Sequence, residues 1–300
     1  MTVWKVSGEL PKAAAEAALA FHSELADWDY DIVVAACEIE EQRPDDWVFE
    51  AWLPRRPSAA DKRALASLFG GSPPAFSTEK LPETDWVTES QKGVEPIREG
   101  RFHVHTPDHA PDPARTNLVI PASQAFGTGQ HETTAGCLAM IDLMKRQGHV
   151  FRNHADIGTG TGLLAFAAME LWPHALATAS DIDPVCTGVV IDNAAGNGVA
   201  LGSKPGELLF TVADGMQDPL LRARAPFDLL IANILAGPLA EMAPDFAAAT
   251  APGGSIVLAG LLETQEDSVR RAYRQQGCRL AKRLVRGDWS ILWLRKSRIR

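Results

Sequence analysis

The chain has 300 residues, 29 Lys and Arg against 38 Asp and Glu for a formal net charge of −9, and 46 % hydrophobic residues. Length and ordinary globular composition fit about two domains, each with its own core, and exclude a fibrous repeat or a disordered chain. The acidic balance argues against sequence-independent binding to bare nucleic acid and suits a basic partner, while even the apolar segment Leu163–Met169 stops at Glu170, short of the ~18 residues of a membrane span.

In chain order, Thr2–Val6 is short and β-prone, and Lys12–Leu25 follows Pro11 with a helical apolar period. Tyr30–Ile39 and Trp47–Leu53 are β-rich runs on either side of the polar loop Glu41–Asp46. Ser58 caps a helix over Ala59–Phe69, closed by Gly70 and Gly71, and Ala75–Lys80 supplies a last strand. The order β-α-β-β-α-β over residues 1–80 predicts a small ferredoxin-like α+β domain. Residues 81–121 hold Pro82, Pro96, Pro107, Pro111, Pro113 and Pro121 and read as a linker with one strand, Arg101–Thr106.

From residue 122 to 300 strands and helices alternate, the pattern of a parallel sheet covered on both faces. A helix over Glu132–Gln147 precedes a strand at His154–Ile157 and a helix at Leu163–Leu171; Ala177–Asp181 is the next strand and Asp183–Gly196 the next helix. Strands follow at Glu207–Val212, Phe227–Ala232 and Gly254–Leu262, then a helix at Thr264–Gln276. Arg279–Arg286 and Trp289–Arg295 flank Gly287-Asp288 as a hairpin, although Asp-Gly is the usual order in such turns. A Rossmann-like α/β sheet that ends in an antiparallel hairpin predicts the class I S-adenosylmethionine-dependent methyltransferase fold.

Four segments can carry chemistry. Gly158, Gly160 and Gly162 lie between a short strand and a helix, where bare backbone near a helix N-terminus can hold a ligand or simply make a tight turn. Their G-x-G-x-G spacing departs from the dinucleotide fingerprint. Asp181 closes the next strand, where a carboxylate can accept both ribose hydroxyl protons; it can also serve as a helix N-cap, a role open to Asp183 as well. Together the two point to adenosine without a pyrophosphate clamp, hence to S-adenosylmethionine rather than NAD. Asn233 ends the run Leu229–Ala232 on the edge where such sheets bind ligands. It can be a turn residue, or its side-chain oxygen can accept hydrogens from a substrate amine. Ala125–Thr134 (AFGTGQHETT) precedes a helix and can act as a flap or as a plain capped entry.

Asp214 can meet an adenine amine or begin a turn. His103, His105 and His109 lack the cysteine or carboxylates of a metal centre, so no metal is expected. The basic tail Arg295–Arg300 reads as a solvated end, with contact to RNA the lesser alternative. Cys37, Cys137, Cys186 and Cys278 lie far apart with no CxxC pair, which predicts neither zinc nor disulfides and fits a reducing cytoplasm; the N-terminus shows no secretory pattern.

These residues resemble a known family, the bacterial ribosomal protein L-eleven methyltransferases. The likeness rests on AFGTGQHETT (125–134), DIGTGTGLLAFAA (156–168), DIDP (181–184), DNAAGNGV (192–199), IANILAGPLAEMAP (231–244) and PGGSIVLAG (252–260), with DWVTESQKGVEPIREGRF (85–102) similar in flavour. The chain departs from it at Gln130 and Glu132, where the family has Thr and Pro in G-T-H-P-T-T, and in the glycine loop, where the family has G-C-G-S-G. The resemblance implies that Thr134, Gly158, Gly160, Asp181 and Asn233 contact S-adenosylmethionine and that Asn233 is catalytic. It also implies that residues 1–80 recognise a large-subunit ribosomal protein, whose lysine ε-amines and α-amine are methylated. A cytoplasmic monomer with no direct nucleic-acid or membrane contact is the corresponding expectation. Two other readings share these residues: a lysine methyltransferase of the same fold acting on another protein, such as the electron-transfer flavoprotein β subunit, and a non-catalytic adenosine-binding adaptor.

Overall fold

A computed structural model describes residues 3–24, 28–29, 32–39, 45–70, 72–80, 95–121 and 130–298. Parts of the sequence readings fall outside these residues: 41–44 of the polar loop, 81–94 of the linker, 125–129 of the flap segment and 299–300 of the basic tail. The chain divides into two compact units, Met1–Glu89 and Ser90–Arg300.

In the first unit, strands β1 (Trp4–Pro11), β2 (Val33–Glu38), β3 (Asp46–Leu53) and β4 (Ser77–Lys80) form an antiparallel sheet in the order β2-β3-β1-β4. Helices α1 (Lys12–Glu24) and α2 (Ala59–Ser67) connect β1 to β2 and β3 to β4, which is the split βαβ arrangement. Val6, Phe49, Ala51 and Leu53 from the sheet meet Ala18 and Leu65 from the helices in one small core. Ser58 caps α2 as the sequence predicts, its hydroxyl accepting from Asp61 N at 3.1 Å while Asp61 Oδ2 accepts from Ser58 N at 2.8 Å.

The second unit opens with a correction to the linker reading. Residues 97–119 hold three strands rather than one: β5 (Ile97–Glu99), β6 (Phe102–His105) and β7 (Thr116–Val119). β6 is buried along its whole length, with His103 Nδ1 donating to Asn117 Oδ1 at 2.8 Å. Phe102, Val104 and Leu118 join the main core, so residues 97–119 are part of that core.

Beyond it run α3 (Gln130–Arg146), β8 (Asn153–Ile157), α4 (Leu163–Leu171), β9 (Leu176–Asp181), α5 (Cys186–Gly196) and β10 (Leu208–Val212). Then come α6 (Pro219–Arg224), β11 (Phe227–Asn233), α7 (Ala236–Glu241), α8 (Ala243–Ala249), β12 (Thr250–Leu262), α9 (Glu266–Gln275), β13 (Cys278–Arg286) and β14 (Trp289–Lys296). The seven-stranded sheet has the order β10-β9-β8-β11-β12-β14-β13. Its first five strands are parallel and β14 runs antiparallel between β12 and β13. Residues of α3, α4 and α5 cover one face and those of α7, α8 and α9 the other.

Two local readings change and one stands. Asp183 precedes α5, which starts at Cys186; the Asp183 carboxylate accepts from Val185 N at 2.9 Å, so the turn into the helix is stabilised there. The short helices α6, α7 and α8 lie where the sequence predicts no element; Pro219, Pro238 and Pro244 fall in their first turns, a position that suits proline. The Gly-Asp hairpin turn is sound. Gly287 has φ +52° and Asp288 is not in the left-handed region, so a glycine is needed only at the first central position. Among the described residues no helix is long and apolar enough to cross a membrane.

Candidate active site

β8, β9 and β11 end on the same edge of the sheet, and connections leave β8 and β11 toward opposite sides, which opens a crevice at this point. The glycine loop is built from the end of β8. Gly158 N and Thr159 N donate to Ser180 O at 2.8 and 3.0 Å, which ties the loop to β9. Gly158, Gly160 and Gly162 all have positive φ, at +72°, +54° and +85°. A Cβ on Gly158 would lie 2.3 Å from Ile234 Cγ2, and one on Gly162 would lie 2.6 Å from Phe166 Cζ. Gly160 differs, for a Cβ there would meet nothing within 4 Å. Packing therefore explains two of the glycines, and the open space above Gly160 fits a ligand.

Asp181 borders that space. Its carboxylate accepts from Gly160 N at 2.8 Å and from Asp183 N at 3.0 Å. The first bond joins the acid at the end of β9 to the middle of the glycine loop, 21 positions away. Next to it the Cys186 thiol is pushed up to about 11, first by burial and then by the negative charge of Asp181, and so stays protonated.

Asp156 supports the loop from below. It is buried, and its Oδ2 accepts from Thr159 Oγ1 at 2.6 Å and Ala165 N at 3.1 Å. Burial pushes its carboxyl up to about 7, with the nearby charge of Asp181 adding in the same direction. Its second oxygen has no hydrogen-bond partner. Asn193, in α5, fixes the far side of the loop by donating from Nδ2 to Thr161 O at 2.9 Å. Neither support was assigned a site role from sequence, because a mid-helix Asn and the acid opening a glycine motif carry no local sign of what they touch.

Asn233 ends β11 as expected, and its Nδ2 lies 3.4 Å from Thr134 Oγ1 in the first turns of α3. These residues are 99 positions apart in sequence. Ile234, the next residue, packs on Gly158, so the Asn233 strand end and the glycine loop abut. The Glu132 carboxylate sits against Gly287, where a Cβ would come within 2.5 Å of it. Thus Thr134, Gly158, Gly160, Asp181 and Asn233 all lie on one edge of the sheet. Asp214 follows β10 as an exposed residue. His103 and His105 are buried in β6, and among the described residues no group of three or more His, Cys, Asp or Glu is placed to hold a metal ion.

This donor set fits an adenosyl cofactor on its own chemistry. A carboxylate stands at the strand end for ribose hydroxyls, open space lies over a bare backbone turn, and a buried acid below has one unpartnered oxygen.

Comparison with known proteins gives a consistent result. A family model described as "Ribosomal protein L11 methyltransferase (PrmA)" matches residues 6–297. The chain is 41 % identical over 265 residues to the "Ribosomal protein L11 methyltransferase" of Brucella suis (strain ATCC 23445 / NCTC 10510), covering 87 % of this chain and 89 % of that protein. It is 41 % identical over 269 residues to the protein of the same name from Rhizobium meliloti (strain 1021), covering 88 % and 89 %. Among solved structures, the ribosomal protein L11 methylase of Lactobacillus delbrueckii subsp. bulgaricus superposes with a TM-score of 0.57 at 25 % identity, over 68 % of this chain and 100 % of that one.

Proposed function

The chain belongs to the ribosomal protein L11 methyltransferase family, and from that premise we propose that it transfers methyl groups from S-adenosylmethionine to lysine ε-amines and the α-amine of ribosomal protein L11. The observation that carries the site assignment is the meeting of Asn233 and Thr134 beside the glycine loop and Asp181. Asp181 and the backbone around Gly160 would hold the adenosyl portion, and the bound cofactor supplies a sulfonium methyl group at the same sheet edge.

The chain's own residues then do the orienting. Methyl transfer is an in-line displacement that needs a free nitrogen lone pair, so fixing a neutral amine in position is most of the catalytic work. With Asn233 Nδ2 committed to Thr134, the amide oxygen is the atom left to accept an amine N–H. A lysine amine, with an ordinary pKa of about 10.4, must also lose a proton, which exclusion of water from the crevice favours.

Charge supports a basic protein substrate. Residues 1–89 hold eight Lys and Arg against 17 Asp and Glu, a net −9, so the first unit carries the whole net charge of the chain. This favours an assignment of residues 1–80 as the substrate-recognition domain; the strands of residues 97–119 belong with 122–300 in the catalytic unit of a cytoplasmic, monomeric enzyme.

The test is incubation with radiolabelled S-adenosylmethionine and a ribosomal protein extract, with products resolved by mass. Label on L11 is expected, and Asn233→Ala should lower transfer by at least about a hundredfold, the scale of losing a positioning contact. Label only on another protein would overturn the target, and unchanged transfer by Asn233→Ala would remove that residue from catalysis. Cofactor binding without any transfer would make the chain an adaptor.

A further inference from the structure

The chain's net charge conceals a sharp separation of sign. Residues 266–300 hold 11 Lys and Arg against three Asp and Glu, a local net of +8 inside a chain of net −9. Nine of the 11 are arginine. These residues build α9, the edge strand β13 and its neighbour β14. Between α9 and β13 lies a cleft of about 300 Å³ lined by Arg270, Arg271, Arg274 and Arg279 with Leu280 and Leu294, and with Asp267 as the only acid.

Some of these cations are committed. Arg270 pairs with Glu266 at 3.0 Å, Arg283 with Glu263 and Glu266, and Arg286 with Glu99 at 2.6 Å. Arg271, Arg274, Arg279 and Lys282 are exposed and make no ion pair among the described residues. Arg279 Nη1 donates to Arg274 O at 3.1 Å, which holds its guanidinium beside the helix end. β13 pairs on one side only, so its outer edge and these cations face solvent together. Like charges gathered without counter-ions repel one another, and arginine in particular presents a fork that matches phosphate oxygens.

We propose that the arginine cleft between α9 and β13 binds the phosphate backbone of RNA. Distance along the sheet separates this surface from the methyl-transfer edge. Ser255 pairs with Arg295 and Cys278 with Lys296 at the end where β12 begins, whereas Asn233 lies at the end where β11 finishes. RNA held at Arg274 and Arg279 therefore leaves the crevice open. Net charge does not oppose it, because at physiological salt charges farther than about 8 Å are largely screened and the local patch governs contact. The choice of RNA over an acidic protein rests on the proposed substrate being a ribosomal protein, whose surroundings are RNA; the binding of a polyanion rests on the arginines alone.

The test uses the full chain and a fluorescein-labelled single-stranded RNA of about 16 nucleotides, read by anisotropy. Four free cations predict a slope of log K against log salt near −2.8, or about a 50-fold loss of affinity between about 50 and 200 mM. Arg271→Glu, Arg274→Glu and Arg279→Glu together should weaken binding by at least about tenfold and bring the slope below about −1 in magnitude. The matching Gln triple, which is milder for folding, should fall between. Methyl transfer to free ribosomal protein should be the same in all three proteins, so that assay reports separately on the proposed reaction. Failure to bind RNA at low salt, or binding unchanged in both triples, overturns the proposal. Displacement of the RNA by polyglutamate at equal charge would overturn it in favour of an acidic protein.

Discussion

Asp156 and His154 stand two residues apart on one face of β8, both fully buried, and desolvation moves them in opposite directions. The Asp156 carboxyl rises from 3.8 to about 7, and the His154 imidazole falls from 6.5 to about 4 with neither ring nitrogen bonded. Between about pH 4 and 7 the unfolded chain has released the Asp156 proton that the folded chain keeps, so this group makes stability fall as pH rises. Between 6.5 and 4 the unfolded chain takes up a proton that folded His154 refuses, so this group makes stability fall as pH drops. Each slope is at most about 1.4 kcal/mol per pH unit, and over the shared window they oppose. Asp156→Asn keeps an acceptor for Thr159 and should make urea stability rise with pH from about 4 to 6.5, relative to the parent. His154→Leu should tilt the profile the other way. Parallel profiles for parent and Asp156→Asn would mean that Asp156 ionises in the ordinary carboxylate range. The sequence shows an acid opening a glycine motif and a histidine in a strand; only burial reveals that the acid is pushed up and the imidazole down.

The glycine loop shows how one element divides between folding and binding. Gly162→Ala places a Cβ at φ +85° and against the Phe166 ring, so it should cost at least about 2 kcal/mol in urea unfolding, the left-handed penalty plus a core clash. Gly160→Ala meets only the conformational penalty of about 1 kcal/mol, since a Cβ there touches no protein atom. Its effect should fall on S-adenosylmethionine affinity, with a loss of about tenfold or more by calorimetry. Equal affinity in Gly160→Ala and parent would place the cofactor elsewhere. Elements of this kind were well read where periodicity is strong: α4 has the predicted bounds Leu163–Leu171, and the strands at β8, β9 and β11 shift by a residue or so. Short helices with a proline in their first turn are not, nor are β5 and β7 on either side of the expected strand at Arg101–Thr106. Their local composition is that of loops, and tertiary burial of Ile97 and Leu118 overrides it in the two strands.

At the scale of the molecule, charge is divided by unit and by face. The proposed recognition of a basic ribosomal protein by the acidic first unit predicts a KM for that substrate that rises with ionic strength, while the dissociation constant of S-adenosylmethionine changes little. Titrating salt in initial-rate and calorimetric measurements checks both together; a salt-independent KM would remove charge from recognition. The basic surface on α9 and β13 is the counterpart within the second unit. An average over the whole sequence gives −9 and hides it, because the cations gather on consecutive elements that the hairpin folds onto one edge.

Features that depend on neighbours along the chain are legible without a fold: the strand–helix alternation, the glycine turn, the acid closing the second strand of the sheet, the hairpin and the family motifs. Periodicity and turn chemistry are local properties, so they survive being read without a fold. The tertiary structure alone decided which of these meet. It placed Asn233 against Thr134 across 99 positions, stapled Gly160 to Asp181, held the loop with Asn193 and left Arg271, Arg274 and Arg279 unpaired beside one another. Those contacts follow from strand order and helix packing, which are set by burial of apolar surface over the whole sheet rather than by any short stretch of sequence.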